Sequence, residues 1–269
     1  MSVPTFLAGV LNTDFNYLSH AAVADCITIL NDLNTQLTAL GWTCSVTGSS
    51  PTAVGTYQSP TRSDGAFIKI VATELTATTM KYVVTDSAGL QVNNGTDTRQ
   101  YIDGTGTEVR IFGNKFGVWV DSMRATPETW GCGILDQTPE ALAVPKPTFW
   151  ATTGPRNSGG SGQGGWNYSW YLDPTSSAYA SSNQPVCYNM PSAASRLTQS
   201  GSLLFMPAEI VGGSGFVLLG RIFQTLLVDS ANTTVGAELT VPLDTGVTGV
   251  FKCLGFAVGS LTRVCVRKS

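Results

Sequence analysis

One imidazole sets a low ceiling on the chemistry this chain can perform. His20 is the only histidine, so neither a histidine-based nucleophilic triad nor a multi-histidine metal site can be assembled from one copy. Its position at the start of a predicted helix reads as a surface or interface side chain. The six cysteines, Cys26, Cys44, Cys132, Cys187, Cys253 and Cys265, are scattered and include no C-x-x-C pair. They are expected as free buried thiols in a protein made in a reducing compartment, with three disulfides open to a chain that ends outside a cell. No G-x-S-x-G elbow, Walker loop or G-x-G-x-x-G fingerprint occurs, because the glycine-rich runs have the wrong spacing and flanks. No catalytic residue, cofactor site or metal site is therefore expected, and the chain reads as a non-enzyme.

Carboxylates alone can still hydrolyse glycans, since the two acids of such a site come from distant strands. Asp64, Asp86, Asp103, Glu108, Asp121, Asp136 and Asp173 qualify by type. Most of them adjoin Gly, Pro or Ser in predicted turns, where Asp is favoured for hydrogen bonding to its own backbone. Asp103-Gly104-Thr105-Gly106-Thr107 lacks the alternating oxygen ligands and closing Glu of a calcium loop. A binding role has a different candidate. Trp166, Tyr168 and Trp170 alternate, so in a strand they share one face, from which they could stack on sugars or fill a partner's pocket. The same spacing suits the interior of a sheet. Arg221, Arg263 and Arg267 lie in apolar strands, where they suit either acids at a subunit contact or a solvated strand face.

The elements that must position these residues begin with one helix. Val23, Cys26, Leu30, Leu33, Leu37 and Leu40 recur at steps of three and four, an apolar stripe with polar residues mostly off it. Ser19 is the expected N-cap and Gly41 the left-handed terminator. Trp42, Cys44 and Val46 then alternate as in a strand. The stripe either covers a sheet of the same chain or meets a neighbouring subunit, which makes Val23, Cys26 and Leu30 candidate interface residues.

Strands are predicted at Ala66–Ala72, Thr78–Asp86 and Thr98–Ile102, and at Glu108–Phe112 and Phe116–Val120 around a Gly113-Asn114-Lys115 turn. The Asp86-Ser87-Ala88-Gly89 and Asn93-Asn94-Gly95 runs read as turns. This is an α+β domain over residues 1–140, one helix packed on an antiparallel sheet. Prolines at 139, 145 and 147 and the run Gly154 to Gly165 mark a connector over 141–165. Residues 166–269 hold no helical pattern. Short strands at Trp166–Leu172, Ser202–Met206, Phe216–Phe223, Leu226–Val228, Glu238–Val241, Val250–Phe256 and Arg263–Arg267 predict an all-β domain of sandwich or barrel type.

Composition narrows the class further. Only 12% of the 269 residues are charged, 29 are glycine and the net charge is −3, a surface that suits β-rich extracellular or virion proteins. Without a basic patch, nucleic-acid binding is not expected. No stretch reaches the length of a membrane span, and the apolar start lacks a secretion signal's basic region, so neither membrane insertion nor export by a leader is expected.

The run Ala39-Leu40-Gly41-Trp42, then Ser63-Asp64-Gly65-Ala66-Phe67-Ile68, Gly113-Asn114-Lys115-Phe116 and Gly131-Cys132-Gly133-Ile134-Leu135-Asp136 resembles the virion structural proteins of tailed bacteriophages, particularly those of tail, baseplate and neck. The resemblance spans about the first 140 residues, and its motifs mark turns and packing, so it carries no catalytic residue over. It implies a subunit made in the bacterial cytoplasm and incorporated into the virion in several copies. Its partners would be other phage structural proteins and further copies of itself in a symmetric assembly. Two alternatives stand beside it: a head-decorating or receptor-binding virion protein that contacts a bacterial surface glycan through Trp166, Tyr168 and Trp170, and a carboxylate-dependent glycan hydrolase.

Overall fold

The computed structural model describes residues 15–92, 97–103, 107–124, 127–136, 149–153, 168–172, 179–182, 205–212, 217–229, 233–244, 247–258 and 262–269. Among them the chain is mostly β, with one helix and three antiparallel sheets. The order is β1 (Phe15–Val23), α1 (Cys26–Thr38), β2 (Thr43–Thr47), β3 (Val54–Gln58), β4 (Lys69–Thr76), β5 (Thr79–Thr85), β6 (Asp97–Gln100), β7 (Thr107–Asn114), β8 (Gly117–Ser122) and β9 (Glu128–Ile134). Then follow β10 (Phe149–Thr153), β11 (Tyr168–Leu172), β12 (Tyr179–Ser182), β13 (Phe205–Gly212), β14 (Val217–Asp229), β15 (Glu238–Asp244), β16 (Val247–Val258) and β17 (Thr262–Arg267). The first sheet runs β1-β7-β8-β9-β10-β11-β12, the second β2-β3-β4-β5-β6 and the third β13-β14-β17-β16-β15.

The helix begins later than its apolar period suggests. Asp25, not Ser19, is the N-cap: its Oδ1 accepts the Thr28 backbone N–H at 3.1 Å and the Thr28 hydroxyl at 2.6 Å. A carboxylate there also meets the positive end of the helix dipole. Ser19 and His20 instead lie in β1, paired with Arg110 and Val109 of β7. The ladder shifts register between His20 and Val23, with Ala22 at φ +57° as the chain turns into the helix. At the other end Gly41 takes φ +83°. Its N–H returns to the Thr38 carbonyl while the Trp42 N–H reaches the Leu37 carbonyl, the paired closure that a left-handed glycine permits.

Cys26, Ile29, Leu30, Leu33 and Leu37 are the buried helix residues; Ile29 joins the stripe and Leu40 is only half-buried. They share one core with Tyr57, Ile70 and Tyr82 of the second sheet and with Val109, Ile111, Val118 and Trp130 of the first. The Tyr57 hydroxyl donates to the Leu30 carbonyl at 2.8 Å. A side chain on Gly113 of β7 would come within 3.0 Å of Leu40 and 3.1 Å of Leu37, so glycine there lets the helix approach that strand closely. Tyr82 stacks on Trp130 with ring centroids 4.0 Å apart, joining the second sheet to the first directly.

Strand predictions fail mainly where glycine or a single apolar residue dilutes the pattern. Val54–Gln58 and Glu128–Ile134 are strands although neither is predicted; β9 carries Gly131 because a Cβ there would lie 2.4 Å from the Trp119 ring. Of the predicted stretches Phe216–Phe223 and Leu226–Val228, the residues from Val217 on form one strand, β14, with Gln224 at φ +54° between them. Phe149–Thr153, placed in the expected connector, is a strand in register with β9, and β11 and β12 extend the same sheet. The proline cluster at 139–147, the Gly154 to Gly165 run and the Asn93-Asn94-Gly95 turn lie wholly or mostly outside the described residues. The Asp86 turn forms as expected: Asp86 Oδ1 accepts the Ala88 and Leu90 N–H groups, and Gly89 adopts φ +79°. No helix among the described residues is long and apolar enough to cross a membrane.

Because Cys26 is fully buried in the single chain, Cys26→Asp is expected to abolish the cooperative thermal transition of the isolated protein, followed by circular dichroism. Asp25→Ala, which removes only the cap, is expected to cost about 1 kcal/mol in urea denaturation.

Candidate functional site

The structure divides the residues singled out above into groups with different fates. Val23, Cys26 and Leu30 are 1%, 0% and 0% exposed, and so offer no side chain to a partner. Of the two placements open to the stripe, a sheet of the same chain or a neighbouring subunit, these three side chains take the first: they are buried in the core shared with the first and second sheets. Burial pushes the Cys26 thiol up to about 12, with Glu74 and Asp25 adding to the effect. Tyr168 and Trp170 occupy alternate positions of β11, opposite Thr153 and Ser181 respectively. Trp166 lies outside the described residues.

The acids are not gathered into one place. Asp64 holds Arg62 through Nε at 2.9 Å, and that hydrogen bond keeps its carboxyl below the usual range, while Arg62 Nη1 reaches the Leu135 carbonyl at 2.8 Å. Asp86 orders its own turn, Asp103 accepts the Thr107 hydroxyl and Glu108 that of Ser19. Asp136 lies between the first and third sheets, exchanging backbone hydrogen bonds with Arg221 at 2.8 and 2.9 Å. Asp173 is outside the described residues. His20 Nδ1 lies 2.8 Å from Asp32 Oδ2, linking β1 to the helix.

One acid stands apart. Asp121, on β8, is completely buried, and so is Arg110, directly opposite it on β7. Arg110 Nη2 donates to Asp121 Oδ2 and also contacts Met123 Sδ. The other carboxylate oxygen accepts the Thr129 hydroxyl from β9 and the Gly255 backbone N–H from β16 at 2.9 Å. Burial pushes the Asp121 carboxyl up, while Arg110, Thr129 and Gly255 pull it down. The third sheet supplies its donor because β16 loses register with β17 between Cys253 and Ala257. A side chain at position 255 would lie 2.3 Å from Pro127 Cβ and 3.1 Å from Asp121 Oδ1, so glycine lets the backbone come close enough to donate. Beside this group Glu128 receives Arg99 at 3.4 Å and approaches Arg124 at 4.0 Å.

Chemically, this is a brace. Both oxygens of Asp121 are occupied by donors from three strands of two sheets, leaving no geometry for attack or proton exchange with a substrate. Further contacts tie the same sheets together: Phe116 meets Phe223 with centroids 5.7 Å apart, and the Arg267 guanidinium sits 4.6 Å over the Phe15 ring. Arg267 and Arg221, expected at a subunit contact or a solvated face, thus make contacts within the chain. Arg263 Nη1 is 3.5 Å from the Leu254 carbonyl.

Sequence reasoning named Asp121 only as one acid among seven and did not find Arg110, Thr129 or Gly255. The hairpin contained the signal. Its turn is Lys115-Phe116, with Asn114 Oδ1 accepting the Phe116 N–H at 2.8 Å, and that register places Arg110 opposite Asp121. Among the described residues, no three His, Cys, Asp or Glu side chains converge as metal ligands. Comparison with models of known protein families and with curated proteins finds no match.

Removing the carboxylate leaves a buried guanidinium unpaired. Asp121→Ala is therefore expected to destabilise the protein by about 3 to 5 kcal/mol in urea denaturation. Thr129→Val, which removes a single donor, is expected to cost about 1 kcal/mol.

Proposed function

We propose that this chain is a structural subunit of a tailed-bacteriophage virion, of the tail, baseplate or neck, which acts by protein–protein contacts with other virion proteins and with copies of itself. The fold-level part of this reading is an α+β region in which the helix lies on antiparallel sheet, followed by strands arranged as a sandwich. The observation that carries the proposal is the saturated Asp121 group. Among the described residues the most deeply buried ion pair, Arg110 with Asp121, helps hold the first and third sheets together, which suits a subunit whose task is to keep its shape under load. The low charge and high glycine content, together with the resemblance of the first 140 residues, point the same way.

A second reading, a virion protein that contacts a receptor or glycan, is favoured by the alternation of Tyr168 and Trp170 along β11. The two separate experimentally. With the triple substitution Trp166→Ala, Tyr168→Ala and Trp170→Ala, a structural subunit is expected to leave adsorption per particle unchanged, whereas a receptor-binding protein would give complete particles that no longer adsorb. The structural reading itself is tested by mass spectrometry of purified particles from cells that carry the gene. Several copies per particle are expected. Absence from the particle, with a monomeric chain in sedimentation at micromolar concentration, would overturn it.

A further inference from the structure

Cys253 and Cys265 stand directly opposite each other on β16 and β17. The backbone groups of Cys253 point the other way, toward β15: its carbonyl accepts the Gly236 N–H and its N–H donates to the Ala237 carbonyl, both at 2.9 Å. Toward β17 the pair is therefore of the non-hydrogen-bonded kind. By contrast Val250, three residues earlier, bonds to Lys268 and Ser269 on the β17 side. In a non-hydrogen-bonded antiparallel pair the Cα atoms are about 4.5 Å apart and the side chains are at their closest. That separation lies inside the window of roughly 4.4 to 6.8 Å that a disulfide requires.

Both residues are completely buried, in a cluster with Leu226, Val228, Val241 and Phe251, and both are free thiols. The adjacent Cys265 side chain holds the Cys253 thiol below its ordinary range. Cys26, Cys44 and Cys132 lie on α1, β2 and β9, and the cross-strand partners of Cys44 and Cys132 are Tyr57, Val118 and Ala151.

We propose that Cys253 and Cys265 are a redox-convertible pair that closes into an intrachain disulfide across β16 and β17 when the protein meets a small disulfide oxidant. The Cys253 thiolate attacks one sulfur of oxidised glutathione and releases one glutathione thiolate. The Cys265 thiolate then attacks the Cys253 sulfur of the mixed disulfide and releases the second. The two cysteines together lose two protons and two electrons, and the oxidant becomes two molecules of reduced glutathione. Because the thiols are buried, the reaction proceeds through opening of the third sheet. The product fastens the strand that donates Gly255 to Asp121 to its neighbour. The inference holds whether or not the chain is a virion subunit.

The test uses the full chain, incubated to equilibrium with oxidised glutathione, once in buffer and once in sub-denaturing guanidinium that accelerates opening. After acid quenching, free thiols are alkylated in full denaturant and the peptides mapped by mass spectrometry. The expected result is loss of alkylation at Cys253 and Cys265 together, and recovery of one peptide pair joined between them, short of two hydrogens. In the Cys265→Ser variant that linkage should vanish, leaving Cys253 as the glutathione adduct. Full alkylation of both residues under both conditions, or a principal product in which either is joined to a different cysteine, would overturn the proposal.

Discussion

A carboxylate taken out of water costs several kcal/mol unless the protein replaces the lost solvent with donors of its own. Asp121 meets that requirement with Arg110, Thr129 and Gly255, three groups from β7, β9 and β16. The constraint propagates outward. Arg110 faces Asp121 only because the β7–β8 hairpin turns at Lys115-Phe116, and Gly255 can donate only because β16 departs from its ladder with β17 at that point. The charge pair thus penalises both a slipped hairpin and a detached third sheet, since either would leave a buried charge unmatched.

The helix solves the complementary, apolar problem. Two sheets present hydrophobic faces, and α1 contributes residues to the core that both share. Its one wide stripe therefore serves two neighbours, and hydrogen bonds fix its position: Tyr57 to the Leu30 carbonyl, and Trp42 Nε1 to the Asn114 carbonyl at 3.0 Å. The latter ties the end of the helix to the turn that sets the Arg110–Asp121 register, so apolar packing and the ion pair reinforce each other through a single loop.

Much of this was legible in the sequence, and the misses have physical causes. The stripe from Val23 to Leu37 gave the helix and most of its buried face, and Gly41 gave its end, because both follow from local backbone chemistry. Its start was misplaced because Ser19 and Asp25 are both acceptable caps, and only the long-range pairing of β1 with β7 decides between them. A hairpin centred on Asn114 would set Arg110 opposite Val118, whereas the true turn sets it opposite Asp121; side-chain capping by Asn114 selects the second. Gly255 could not have been found from local pattern, because its role depends on a partner 134 residues away. No rule of spacing carries that information.

Asp121 joins the third sheet to the first through the Gly255 amide. Hydrogen exchange at that amide, followed by NMR in the wild-type chain and in Asp121→Ala under conditions where both remain folded, reads this link. A strongly protected Gly255 amide is expected in the wild type and a collapse of that protection in the variant, while the ladder amides of Lys252 and Val266 stay protected. A Gly255 amide that exchanges at a loop-like rate in the wild type, or one equally protected without the carboxylate, would contradict it.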